Sequence, residues 1–174
     1  MNRRDTIKKL MAASGALVTL PSWAESWTRP EVNSFRSSFL QEQQTILASV
    51  TDTIIPQGND IGALSVGVDK FLQKLFDKCY EPAVGENVKK QLAALETNAQ
   101  AALSKNFIAC DQKQREALLL SFAASEDKSQ KDFFDLVKSE TIRGFNTSKE
   151  VMTKYLNYKI APGHYYGCVD AKAS

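Results

Sequence analysis

The sequence predicts an all-α fold: one compact helical domain of about five helices, followed by an irregular, aromatic C-terminal tail. Apolar residues recur at intervals of three and four through most of the chain, and one face of an α-helix requires this spacing. No alternating run rich in β-branched residues is long enough to form a strand. About 150 residues follow the leader described below, which is enough for a single core.

The first two predicted helices flank a loop with the sequence QGNDIGA. Ser38 and Gln41 form a candidate capping box for the first helix, and Pro56 ends it. Ser65 is a candidate cap for the second helix. The apolar positions are Phe39, Ile46, Val50 and Ile54 in the first helix and Val68, Phe71, Leu72, Leu75, Phe76 and Cys79 in the second.

The third predicted helix follows Pro82 and Gly85. Its apolar stripe is narrow, which predicts a position at the surface of the bundle. The stripe consists of Val88, Leu92, Leu95, Ala99 and Leu103, flanked by Lys89, Lys90, Gln91 and Glu96. A capping box of Asp111 and Gln114 opens the fourth helix. That helix buries Leu118, Leu119 and Phe122.

The fifth predicted helix begins near Ser129, ends at Gly144 and buries Phe133, Leu136 and Val137. A short helix capped by Thr147 or Ser148 leads into the tail, where Pro162-Gly163 is a turn signal. Tyrosine is enriched where proteins meet. The predicted partner-binding residues are therefore Tyr155, Tyr158, Pro162, Gly163, His164, Tyr165 and Tyr166.

Residues 1–24 have the three parts of an export signal: a basic start, an apolar middle and small residues at a cleavage site. The middle, from Leu10 to Leu20, is too short and too diluted by small residues to span a bilayer. Ala24 is the predicted cleavage position. Residues 25–174 are then the helical domain.

The adjacent Arg3 and Arg4 are similar to the pair in a twin-arginine signal, which exports proteins that have already folded. Thr6 stands where such signals usually carry phenylalanine. The alternative is an ordinary Sec signal, in which the arginines supply only positive charge. Either signal predicts a protein outside the bacterial cytoplasm, and only the first implies export in the folded state.

The charge balance argues against nucleic-acid binding. Removal of the leader takes four basic side chains and one acidic side chain from totals of 22 and 20, which leaves 18 and 19. A near-neutral domain lacks the basic stripe that neutralises phosphates.

Few residues offer catalytic or cofactor chemistry. His164 is the single histidine, which excludes a three-histidine zinc site. It has no base partner visible in the sequence, so a structural or interface role is favoured. The motif Cys-x-x-Cys-His of covalent haem attachment is absent. Gly58, Gly62 and Gly67 follow a predicted helix rather than a strand, so they are interpreted as loop residues and not as a dinucleotide-binding turn.

The three cysteines are an odd number in a chain predicted to reach an oxidising compartment. The third helix should carry Cys79 and Cys110 well apart, so a disulfide between them is not favoured. Cys168 lies among the tail tyrosines and is the candidate for an intersubunit disulfide. A buried or free thiol is the alternative.

Four segments carry a resemblance to a known family: LASVTDTIIP, IGALSVGVDKFL, TIRGFNTS and YLNYKIAPGHYYGCV. Together they resemble the small subunit of gluconate 2-dehydrogenase, also called subunit 3. The most distinctive part is the tail, where Pro162-Gly163 is followed by aromatic residues and by Gly167-Cys168.

The resemblance implies a non-catalytic accessory subunit in the periplasm, with no catalytic, cofactor or metal residue of its own. Such subunits resemble partners of a large flavoprotein of the glucose-methanol-choline oxidoreductase type, which holds FAD and oxidises a sugar or sugar acid. A multihaem cytochrome c that carries haem c is often the third subunit, and the complex can associate with the membrane. The leader would then be read by the twin-arginine translocase on behalf of both chains.

The alternative function is a stand-alone exported helical enzyme or ligand-binding protein that uses His164 and Cys168. An export chaperone that leaves after translocation is a third hypothesis. The sequence does not identify the sugar, because the pocket that would select it lies on another chain.

Overall fold

The computed structural model describes residues 36–58, 60–159 and 163. The chain divides after Arg36, and the fold below is that of the part that begins at Ser37. Its described residues form five α-helices: α1 (Gln41–Ile54), α2 (Val68–Lys78), α3 (Pro82–Leu103), α4 (Gln112–Ala123) and α5 (Lys128–Asn146). Two 3₁₀ turns (Leu64–Val66 and Phe107–Ala109) and a π-helical turn (Val151–Tyr155) complete the elements. No strand occurs among these residues, so the predicted all-α class with about five helices is confirmed.

The five helices enclose one apolar core. Helices α1, α3 and α5 each pack against the other four. The largest fully buried apolar side chains are Phe107, Phe122, Phe133, Leu47, Leu72, Leu92, Leu95, Val50, Val68, Val88 and Val137. Over the part of the chain that the structure describes, no helix has the length and apolar character needed to cross a membrane.

Helix α4 begins as predicted. The Asp111 side chain accepts a hydrogen bond from Gln114 N–H at 2.8 Å, and Gln114 Oε1 accepts one from Asp111 N–H at 3.1 Å. This reciprocal pair satisfies two backbone donors that a helix start leaves free. Leu118, Leu119 and Phe122 are buried, also as predicted.

The caps predicted for the first two helices are wrong. Helix α1 begins after Leu40, whose N–H donates to Gln43 Oε1 at 3.0 Å, while the Ser38 hydroxyl donates to Asp77 instead. Helix α2 begins after Gly67, which has a φ of 72° that favours glycine. Ser65 Oγ accepts from Gly62 N–H at 3.2 Å inside the preceding turn. Both serines use their side chains for other contacts.

Helix α3 is more deeply packed than its narrow stripe predicted, because it contacts all four other helices. Pro82 occupies the first turn, and Gly85 lies inside the helix rather than before it. Gln91, expected among the surface residues, is only 2% exposed. Its Nε2 donates to Asn87 Oδ1 at 3.2 Å, which keeps part of the amide satisfied in the interior.

Gly144 was predicted to end the fifth helix, and this is wrong: α5 continues to Asn146. A Cβ atom at Gly144 would lie 2.7 Å from Phe71 Cδ1 and 3.3 Å from Val68 Cγ1. The glycine therefore permits α5 to approach α2 closely. Helix α5 starts after Asp127, whose carboxylate accepts from Ser129 N–H at 2.8 Å, close to the predicted start.

The close approach at Gly144 predicts a stability effect. Gly144→Leu should lower the free energy of unfolding by about 2 kcal/mol, because overpacking against Phe71 outweighs the better helix propensity of leucine. Urea denaturation followed by circular dichroism measures the change. Asn146→Leu, at an exposed position of the same helix, is the control and should change it by less than about 0.5 kcal/mol. Equal values for the two variants would contradict the assignment of Gly144 to close packing.

Candidate functional site

The predicted partner-binding region starts on a short turn that is fixed to the bundle. The π-helical turn packs against α5, and its first residue, Val151, is buried. Ser148 begins this segment as predicted, since its Oγ accepts from Val151 N–H at 3.4 Å. The residues that follow Val151 are thus attached to the bundle through this turn.

Three large side chains on and after this turn are exposed: Tyr155 is 51%, Leu156 59% and Tyr158 52% exposed. We call these three residues the aromatic turn. Tyr158 N–H donates to Met152 O at 2.8 Å, and Asn157 has a φ of 50°, so the helical backbone ends here. Exposed large apolar side chains, above all tyrosines with their hydroxyl ends, are typical of protein-binding surfaces.

Of the predicted tail residues that follow the aromatic turn, the structure describes only Gly163. Gly163 is exposed and has a φ of 77°, in agreement with the predicted turn at Pro162-Gly163. Five predicted tail residues lie outside the described part of the chain: Pro162, His164, Tyr165, Tyr166 and Cys168. Arg3 and Arg4 of the leader also lie outside it. Their roles stay predictions.

A groove that sequence reasoning missed lies between α3 and α5. Its volume is about 790 Å³. Two aspartates, Asp132 and Asp135, carry the only charges among its lining residues; the others are Tyr80, Ala83, Val84, Asn87, Ser129, Leu136 and Ser139. Asn87 Nδ2 donates to Ser129 O at 3.1 Å and joins the two walls. The groove is therefore a mixed polar and apolar surface with an acidic side.

One of the residues that line this groove, Tyr80, contacts a buried carboxylate. Tyr80 OH donates to Glu140 Oε1 at 2.9 Å, and Arg143 forms an ion pair with Glu140 Oε2. Glu140 is buried on the core face of α5, where an unpaired charge would be strongly destabilising. The sequence contained a signal for this arrangement, because Glu140 follows Phe133 and Val137 at helical spacing.

Burial and the Glu140 carboxylate raise the pKa of the Tyr80 phenol above its ordinary value of 10.0. Burial is the larger cause, followed by the hydrogen bond to Glu140 and by its negative charge, whereas Arg143 acts in the opposite direction. In the folded chain Tyr80 thus stays protonated at pH values where an unfolded chain begins to lose that proton.

This shift predicts a loss of stability at alkaline pH. The stabilisation is complete below the unfolded pKa of about 10 and is lost as pH rises through the folded value, because the unfolded state then binds fewer protons than the folded state. Urea unfolding at pH 8 to 11.5 should show a shallower alkaline decline for Tyr80→Phe than for the unmodified chain. Tyr158→Phe is the control, since Tyr158 is exposed. The same slope in all three proteins would remove Tyr80 as the source of the decline.

Metal and thiol chemistry is sparse in the described residues. Within 36–58 and 60–159, no group of three or more His, Cys, Asp and Glu side chains is placed to hold a metal ion. Cys79 is an exposed free thiol and Cys110 a buried one. Cys110 Sγ donates to Asn106 O at 3.4 Å, so its side chain is held in the interior.

The comparisons with known proteins point to one family. Residues 41–163 match the family described as gluconate 2-dehydrogenase subunit 3. This span runs from the first residue of α1 through the aromatic turn to Gly163. Neither the curated proteins nor the solved structures contributed a match. Because the match covers well over half of the chain, the protein belongs to the gluconate 2-dehydrogenase subunit 3 family.

Proposed function

We propose that the chain is a non-catalytic small subunit of a periplasmic, FAD-dependent sugar or sugar-acid dehydrogenase. The observation that carries the proposal is the family match over residues 41–163. Under this proposal a large flavoprotein of the glucose-methanol-choline type binds FAD and oxidises the substrate. The small subunit aids its folding and export and stays bound to it.

The described part of the chain has the physical properties that such a role needs. Helices α1, α3 and α5 each pack against the other four, which makes a well-connected support. The aromatic turn offers exposed Tyr155, Leu156 and Tyr158 at the end of this support. Aromatic anchors on a preformed surface bind partners at a lower entropic cost than mobile ones. The aromatic turn and the tail that follows it are the proposed partner-binding surface.

The leader supplies the proposed export role. A flavoprotein that receives FAD in the cytoplasm must cross the membrane folded, and the twin-arginine route transports folded proteins. One signal on this chain would then serve a tight complex of two folded chains.

We propose two further partners. A multihaem cytochrome c subunit would receive electrons from FAD and could hold the complex at the membrane. The twin-arginine translocase would recognise Arg3 and Arg4.

Purification of the tagged chain from its native host tests the proposal. We expect a larger, yellow protein to accompany it in constant ratio, with a flavin absorption spectrum and dye-linked sugar dehydrogenase activity. The alternative is a stand-alone enzyme or ligand-binding protein that uses His164 and Cys168. In that case a colourless monomer would be purified, and activity would depend on those two residues.

We also propose that Cys168 forms a disulfide with the large subunit. Cys79 and Cys110 are free thiols in the described structure, and Cys110 is buried, so Cys168 is the remaining cysteine. A non-reducing gel of the complex, with thiols blocked at lysis, should show the two chains migrating together. Cys168→Ser should abolish the joint band, whereas Cys79→Ser and Cys110→Ser should leave it. Separate bands from the unmodified complex would exclude this bond.

A further inference from the structure

The two serines that precede α1 are tied to the end of α2. Ser37 Oγ donates to Asp77 Oδ2 at 3.2 Å, and Ser38 N–H donates to the same oxygen at 2.9 Å. The Ser38 hydroxyl donates to the other carboxylate oxygen, Oδ1. One carboxylate thus accepts three hydrogen bonds from a segment about 40 residues earlier in the chain. Hydrogen bonds to a charged acceptor are stronger than neutral ones.

The next residue, Phe39, secures the same segment through the core. Its side chain is only 3% exposed, and its ring centroid lies 6.4 Å from that of Phe76. Lys89 of α3 places its Nζ 5.4 Å from the Phe39 ring centroid. Gln44 Nε2 donates to Phe39 O at 2.8 Å. The segment is therefore held by α1, α2 and α3 together.

The position of Asp77 favours a role in this attachment over a role in helix stability. It lies in the last turn of α2, where the helix dipole disfavours a negative charge. The three hydrogen bonds compensate for that unfavourable position. Its partners are distant in sequence, so they come together only when α1, α2 and α3 have packed.

We propose that Ser37, Ser38 and Phe39 form an N-terminal clasp with Asp77. The clasp is a conformational device that holds the segment before α1 against the bundle only when the bundle is folded. In the closed clasp the backbone at Ser37 and Ser38 cannot adopt the extended conformation that binding in a protease active site requires. When the bundle is unpacked, the clasp is open and the Arg36–Ser37 bond becomes accessible. This inference concerns the isolated chain and does not rest on the proposed function.

Limited trypsin digestion of the full chain tests the clasp. Between Lys9 and Arg36 the only other basic residue is Arg29, and Pro30 after it blocks cleavage. The mass of the large product therefore distinguishes a cut near Lys9 from a cut at Arg36. In the unmodified chain, cleavage at Arg36 should be slow. Asp77→Ala should accelerate it about ten-fold or more, since it removes three hydrogen bonds to a charged group.

Two controls separate opening of the clasp from global unfolding. Asp132→Ala removes the same charge at an exposed position of α5 and should leave cleavage at Arg36 unchanged. Cleavage at Lys70, inside α2, reports unfolding of the bundle and should stay slow in Asp77→Ala. The combined variant Ser37→Ala and Ser38→Ala should reproduce the acceleration with Asp77 intact. Rapid cleavage at Arg36 in the unmodified chain, or a parallel rise at Arg36 and Lys70 in Asp77→Ala, would overturn the proposal.

Discussion

Replacing Arg3 and Arg4 by lysine is expected to hold this chain in the cytoplasm, together with its flavoprotein partner. The twin-arginine route depends on the arginine pair, whereas a Sec signal needs only positive charge at its start. The double substitution keeps the charge and the length of the leader. It therefore separates the two export routes that the sequence leaves open.

The measurement is the distribution of the tagged chain and of dehydrogenase activity between periplasm and cytoplasm. Both should fall to background in the periplasm, and a folded, FAD-loaded large subunit should accumulate in the cytoplasm. Lys8→Arg with Lys9→Arg is the matched control, because it changes two other basic residues of the leader without changing their charge. Unchanged periplasmic activity in the Arg3 and Arg4 variant would contradict both the twin-arginine assignment and joint export.

The parts of the fold that were predictable from sequence depend on residues close together in the chain. The capping box of Asp111 and Gln114 joins positions three apart, and both hydrogen bonds form as expected. The helical spacing of apolar residues likewise indicated the five helices. In these regions local preference and tertiary packing favour the same structure.

The errors arose where a distant residue changes the role of a side chain. Serine is a common helix cap, but the Ser38 hydroxyl donates its hydrogen bond to Asp77, 39 residues later in the chain. In the sequence, Gly144 could either end a helix or permit close packing of another helix. The position of Phe71 shows that close packing is its role. Neither partner is visible in a local pattern.

For the candidate site, the sequence indicated the position of some residues, and their binding role stays a prediction. The sequence placed Tyr155 and Tyr158 in an irregular aromatic segment, and both are exposed on the turn after α5. Nothing in the sequence indicated the groove between α3 and α5. The residues that line this groove, from Tyr80 to Ser139, come together only in the folded bundle. Glu140 was overlooked, although its spacing from Phe133 and Val137 identifies the core face of α5.

Truncation after Ile160 should leave a folded helical body that no longer holds the large subunit. The last residue of the described buried set is Val151, so removal of residues 161–174 takes nothing from the described core. Circular dichroism and the thermal midpoint should therefore stay unchanged. Tyr165 and Tyr166 are lost, and truncation of an aromatic anchor at a binding hot spot typically costs about 2 kcal/mol or more, roughly 30-fold in affinity for each. Loss of both should abolish co-purification.

Two substitution variants of the full chain identify the residues responsible. Tyr165→Ala with Tyr166→Ala should reproduce the loss seen on truncation. Tyr155→Ala with Tyr158→Ala tests the aromatic turn, whose tyrosines are half-exposed, and should weaken the complex without changing the stability of the isolated chain. Leu120→Ala, at an exposed position on α4, is the matched control for loss of an exposed apolar side chain and should retain the partner. If the truncated chain still holds the large subunit as firmly as the full chain does, the interface lies on the helices, and the tail has another role.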